Sequence, residues 1–246
     1  MKLMMKCTRC TYENPNQDTQ LIMVEIQDDN LYRLTCPLGH QEITLLLHQK
    51  FEILFEVGAT AIIDGYHREA VSAFSACLER FHEYYIQVIC CHHNIPDVEF
   101  SNAWKLIGNL SERQLGGFIS LFLLERKQCP QHLIQTSIQF RNDVIHKGKF
   151  PTKDEAMKFG KEVLQIVNTL LFQLKKDYLS EVKIIGTSNF VELNRKIDNS
   201  ILTTAVSYPT IVSISRINEQ SPRIDFESEF LELNKRYQKI KSARRA

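Results

Sequence analysis

The sequence contains no run of about 18 uncharged apolar residues, the length that a membrane-spanning helix needs. Its first residues, MKLMMKCTRC, carry charges and a polar cluster where a signal peptide needs an apolar stretch. These two absences lead to the expectation of a soluble, cytoplasmic protein without a membrane partner. There is also no excess of one charge: 30 Lys and Arg face 29 Asp and Glu, a net +1, which argues against a surface that binds polyanions all over. No internal repeat and no low-complexity linker interrupts the chain. Cysteine is present in an odd number, seven, and a disulfide framework is not expected. Cys77, Cys90, Cys91 and Cys129 lie scattered in apolar or helical stretches and read as reduced thiols.

What is present is enough for a real core, since 43% of 246 residues are apolar. The charge is unevenly spread. Lys and Arg against Asp and Glu number 4 and 6 in residues 1–42, 15 and 15 in 43–180, and 11 and 8 in 181–246. The basic excess sits at the end, where KRYQKIKSARR (235–245) has six cations and no acid. Such a run reads as a solvated helix face or tail, with nucleic-acid contact as the sharper alternative.

Residues 1–42 read as small and β-rich: TQLIMVEI alternates, QDDN turns, and LYRLTC returns as a second strand. From residue 43 the period lengthens. EITLLLHQKFEILFEVGATAIID and REAVSAFSACLERFHEYYIQVIC repeat apolar residues at three and four, as amphipathic helices joined by a turn at Gly65. Shorter helical segments follow. Ser111 and Gln114 stand where a capping box would start one helix, and Thr152 and Glu155 make the same signal for a long one after Pro151. Beyond residue 181 the pattern turns β-branched, as in ILTTAVSYPTIVSISR, before a charged helix from about 225. The expected fold is mainly α: an antiparallel helical bundle over 43–180, a small zinc-ribbon β-hairpin over 1–42, and a mixed α/β extension over 181–246 made of short strands plus a basic helix.

Cys7 and Cys10 are spaced C-x2-C, and Cys36 with His40 follows as CPLGH. Two ligand pairs, each on a tight turn and flanking a β-hairpin, is the layout of a zinc ribbon. Thiolate and imidazole donors favour zinc over hard cations. Zinc is therefore the expected cofactor, and three thiolates plus one imidazole leave no open position, so its role is structural and not catalytic. His48 is a weaker substitute for His40. A segment of this size has too small a core to fold alone, so the metal would supply much of its folding energy.

The remaining chemistry lies in FRNDVIHKGKF, residues 140–150. With 13 arginines and 8 histidines an R-x4-H pair alone is weak, and Arg126 with His132 makes a similar spacing without meaning. Its position is more informative: Arg141 falls near a helix end, Asn142 follows, His146 sits at or past the terminus, and Gly148 precedes a long helix. Five residues at about 100° each set Arg141 and His146 roughly 140° apart on an ideal helix. Either the helix ends between them or the site is assembled from two copies. The bland alternatives are a pairing of Arg141 with Glu79 or Glu69, a structural His146, and solvated lysines.

In RNDVIH, the KG after it and the two long helices before it, the chain resembles the HEPN family of helical-bundle proteins over roughly residues 45–178. The resemblance implies a metal-independent endoribonuclease in which Arg141, Asn142 and His146 act in catalysis and Lys147 and Lys149 contact RNA. It also implies a homodimer that meets motif to motif, and a setting in stress or phage defence as a toxin or effector, with an antitoxin or defence-system partner. The competing reading is a non-catalytic module that binds nucleic acid or a protein.

Overall fold

The computed structural model describes residues 2–13, 21–197, 203–207, 210–217 and 224–243. The chain is mainly helical, with 65% of the described residues in helices. It divides into two compact units. The first contains residues 1–49, 184–209 and 236–246, and the second 50–183 and 210–235. Residues 181–246, read from the sequence as one extension, are thus shared between the units.

In the first unit β1 (Lys2–Lys6) pairs antiparallel with β2 (Leu21–Glu25), and α1 (Thr8–Glu13) lies between them in sequence. A second sheet has the order β3 (Leu31–Thr35), β4 (Gln41–Leu46), β5 (Thr203–Val206), in which β3 and β4 are antiparallel and β4 and β5 parallel. The expected hairpin of TQLIMVEI with LYRLTC is therefore not formed. β2 and β3 belong to different sheets, and each ligand pair sits within its own hairpin. ITLLL, read as the start of a helix, is also strand: a short apolar run has no period of its own, and its register with β3 (Leu31 opposite Leu45, Arg33 opposite Ile43) decides. Leu31, Ile43 and Leu45 form a small core with Leu193 and Ile197 packed on it.

The second unit is built around α3 (His67–His92), which packs against α2 (Lys50–Ile63), α5 (Ser111–Arg126), α6 (Gln135–His146) and α7 (Lys153–Asp177). α4 (Asp97–Ile107) connects α3 to α5. Its core is aromatic. Phe74 lies 4.9 Å from Phe55 and 6.2 Å from Phe226 between ring centroids, and Phe51 meets Phe81 edge to face at 5.2 Å. Gly58 of α2 and Gly160 of α7 let both helices approach the Phe74 ring, since a Cβ at either would stand 2.5 or 2.7 Å from it.

Helix ends follow local chemistry only in part. Thr152 and Glu155 form the expected capping box at α7, with 3.2 Å from the Glu155 amide to Thr152 Oγ1 and 2.8 Å from the Thr152 amide to Glu155 Oε2. The capping box expected at Ser111 is absent, because Gln114 is buried, donates to the Gly108 carbonyl and accepts from Arg80 at 2.9 Å.

Past α7 the chain continues as α8 (Leu179–Asn194), where a β-branched region had been expected by residue 181. Of ILTTAVSYPTIVSISR only residues 203–206 are strand; Ile201, Leu202, Tyr208 and Pro209 lie outside the described residues. Residues 210–217 are irregular yet buried at Ile211, Val212 and Ile217. Side chains replace a ladder there. Glu56 accepts from the Ile211 amide at 3.1 Å and Glu52 from the Ile214 amide at 2.9 Å, while Lys175 donates to the carbonyls of Ile214 and Ile217. The last helix, α9 (Phe226–Ala243), buries Phe226, Phe230 and Leu233, spaced for one face. The end of the basic run, Arg244 and Arg245, lies outside the described residues.

Candidate functional site

The first site follows from the two hairpins of the N-terminal unit. Cys7 directly follows β1 and Cys10 lies one turn on in α1, so the Cys10 amide points back at Cys7 Sγ, 3.4 Å away. CPLGH makes the matching knuckle between β3 and β4: the Gly39 amide donates to the Cys36 carbonyl at 2.8 Å, and Gly39 takes φ +81°, which favours glycine. The His40 amide approaches Cys36 Sγ at 3.4 Å. The four ligand atoms of Cys7, Cys10, Cys36 and His40 all lie within 4.8 Å of one another.

These distances test the fit to a metal. Metal–sulfur bonds of about 2.3 Å set the corners of a tetrahedron about 3.8 Å apart. The separations are 3.6 Å for Cys10 to Cys36, 3.8 Å for Cys7 to His40 Nδ1 and 3.3 Å for Cys10 to His40 Nδ1. The cluster can therefore hold a metal ion, and its donor set is compatible with zinc. His48 is not part of it.

Two carboxylates that the ligand spacing did not reveal stand behind the ligands. Glu13 Oε2 is 3.5 Å from His40 Nε2, so it orients the ring whose Nδ1 faces the sulfurs. Glu42, 1% exposed, accepts from the Thr8 amide at 3.0 and 3.1 Å and lies 3.8 Å from Cys7 Sγ. Without metal, burial raises the Cys7 thiol and pushes Cys10 up to about 12. At Cys36 burial acts in the same direction but is outweighed by hydrogen bonds from the His40 amide and its neighbours, and the net shift is downward.

The second site lies in the helical unit. α6 runs without a break through Arg141, Asn142 and His146, so the option of a helix ending between arginine and histidine is not realised. Lys147 is its C-cap, its amide bonded to the Asp143 carbonyl at 3.2 Å, and Gly148 turns the chain at φ +74°. The motif divides by face. Arg141 is half-buried and points into the unit, where Nη2 donates to Glu79 of α3 at 2.9 Å and Nη1 to Asn142 Oδ1 at 3.1 Å. His146 is exposed on the last turn.

Of the two partners considered for Arg141, Glu79 is the one found. Lys147 and Lys149 also have carboxylate partners, Asp143 at 2.9 Å and Glu155 at 2.7 Å, and Lys149 stands 4.8 Å over the Phe140 ring. Both lysines are solvent-facing.

Arg141 and Asn142 line a cleft of about 250 Å³ between α3, the start of α5, residues 132–133 and α6. Ser75, Leu78, Glu79 and His82 line it from α3 at helical spacings of three and four. His82 had no part in the motif, and the period of α3, which puts it one turn beyond Glu79, was the signal that could have found it. It is 4% exposed, stacked on Phe118 at 4.4 Å, and burial pushes its pKa down to about 3, so the ring is neutral. Its Nε2, itself closed off from solvent, has no hydrogen-bond partner among the described residues.

Among the described residues no helix is long and apolar enough to cross a membrane. Comparison of the chain with protein-family models, with curated proteins and with solved structures finds no match.

Proposed function

We propose that the protein is a HEPN-like, metal-independent endoribonuclease acting as a homodimer, with a structural zinc ion in its N-terminal unit. The observation that carries the reading is the division of α6. Arg141 and Asn142 line an open cleft, while His146 is exposed one and a half turns further on.

The chemistry suits these groups. A histidine moves protons near neutral pH, and His146 takes the proton from a ribose 2′-hydroxyl or returns one to the leaving 5′-oxygen. The 2′-oxygen forms its bond to phosphorus as the bond to the 5′-oxygen breaks, leaving a 2′,3′-cyclic phosphate and a 5′-hydroxyl. Two N–H groups of Arg141 are engaged by Glu79 and Asn142, and the rest of its fork is left for the phosphate oxygens. Because His146 lies about 140° round the helix from Arg141, a phosphate on one copy's Arg141 is served by His146 of a second copy, which is why the active form is a symmetric dimer. Zinc in the closed Cys7, Cys10, Cys36 and His40 set takes no part in cleavage. The cellular setting in this reading is defence or stress, with an antitoxin or defence-system partner.

The test is incubation of the purified protein with RNA and with the same sequence as DNA, in EDTA, with mapping of the ends. RNA alone should be cut, leaving cyclic-phosphate ends. His146→Ala should lower the rate about 10²- to 10⁴-fold and Arg141→Ala about 10²- to 10³-fold, without loss of fold.

The competing reading is a binding module, and one observation favours it. Arg141, Lys147 and Lys149 each have a carboxylate partner within the chain, as a structural network would. In that case no RNA is cut, and Arg141→Ala lowers the melting temperature by stranding Glu79.

A further inference from the structure

The cleft beside Arg141 has two kinds of wall. Leu78, Leu115, Leu133 and Ile138 make most of it apolar, and Glu79, Arg141 and Asn142 supply polar groups on the α3 and α6 sides. Its volume of about 250 Å³ lies below the roughly 300–1,000 Å³ of pockets for drug-sized ligands, which leaves room for a single ring system. His82 adds a second observation. It lines this cleft while 4% exposed, stacked on Phe118, so its ring closes the floor of the cleft and senses what fills it.

We propose that the cleft is a nucleobase subsite. One base of the strand enters between Leu78, Leu115, Leu133 and Ile138, lies against the His82 ring, and leaves its phosphate on Arg141 and Asn142. A flat ring satisfies the apolar walls on its faces and the polar groups on its edge, which a phosphate or sugar alone cannot do. The polar groups lie on the α3 and α6 sides alone, so the slot discriminates among bases by the edge they present there. The subsite deepens the nuclease reading and rests on it for the position of the scissile phosphate: cleavage should prefer one base beside the cut.

The experiment uses the full chain, the four nucleoside 3′-monophosphates, and ribose 5-phosphate as a probe that has no base. Calorimetry measures affinity, and the His82 ring resonance reports occupancy. At least one nucleotide should bind 10-fold or more tighter than ribose 5-phosphate and shift that resonance. Leu115→Trp and Leu133→Trp fill the cleft from separate walls. Either variant that melts cooperatively should lose the difference between nucleotide and ribose phosphate, and lose the base preference at the cut site. The subsite is overturned if no nucleotide binds better than ribose 5-phosphate, if the His82 resonance stays still, or if a filled variant keeps its base preference. Base-dependent binding with no RNA cleavage keeps the slot and removes the nuclease. Cleavage indifferent to base, unchanged in both filled variants, does the reverse.

Discussion

Around the knuckles of the N-terminal unit the buried cluster consists of Cys7, Cys10 and Cys36, with Ile22 packed against it. In the helical unit Phe51, Phe55, Phe74, Phe81, Phe118, Phe122 and Phe226 are all at most 2% exposed. The knuckles are centred on potential metal ligands, with the small Leu31, Ile43 and Leu45 core as a separate cluster of that unit, and the second unit has a core that interlocks across four helices. Where apolar area is scarce, a metal can replace it as the source of folding energy. Where it is plentiful, ring packing suffices and polar residues are released for chemistry.

The comparison breaks most sharply at the metal. Cys7→Ser with Cys10→Ser should abolish binding of about one zinc per chain and unfold the hairpins, a loss on the order of 10 kcal/mol of binding energy. Far-UV circular dichroism should retain most of its helical signal, and elemental analysis checks the metal. Full occupancy in the double mutant would remove the assignment. The converse experiment strikes the aromatic core. Phe74→Ala should cost about 3–5 kcal/mol, seen as a lower denaturation midpoint of the helical signal, while the zinc content stays near one.

Acid should also separate the units' chemistry. His82 is neutral in the folded unit, with its pKa down near 3 against 6.5 for the free side chain. The unfolded chain binds the extra proton, so this contribution to stability is present above about pH 6.5 and is lost as pH falls toward 3. The slope is at most about 1.4 kcal/mol per pH unit. Denaturant unfolding followed by Trp104 fluorescence should be less steep in pH for His82→Phe than for wild type, and equal slopes would contradict the burial argument. The smallest effect concerns a single helix end. Thr152→Ala removes the cap on α7 and should cost about 1 kcal/mol, a drop of a few degrees in melting temperature with zinc content untouched.

The parts of this picture legible in the sequence were those set by near neighbours. C-x2-C and C-x3-H each place two ligands on one turn, so the set Cys7, Cys10, Cys36 and His40 could be read from spacing. The repeats of α3 and α7 and the Thr152 cap are equally local. Legibility ended where a distant partner competed for a side chain. Gln114 looked like half of a capping box, but Arg80 and the Gly108 carbonyl hold it elsewhere. ITLLL continued an apolar run into a helix, yet its pairing with β3 makes it strand. Residues 210–217 carried a strand composition, but Glu52, Glu56 and Lys175 satisfy their backbone without a sheet.

The same boundary runs through RNDVIH. The spacing of Arg141 and His146, and their divergence on a helix, follow from the sequence and from the fixed rotation per residue. Which way each one faces does not follow from it. Arg141 turns inward because Glu79, 62 positions earlier, offers a carboxylate at 2.9 Å, and His146 turns outward because α6 continues unbroken to its last turn. The cleft with His82 beside that pair exists only once α3, α5 and α6 are packed. Sequence carries periodicity and short spacings, which are local; the enclosure of a side chain is a property of several elements at once, and only tertiary packing decides it.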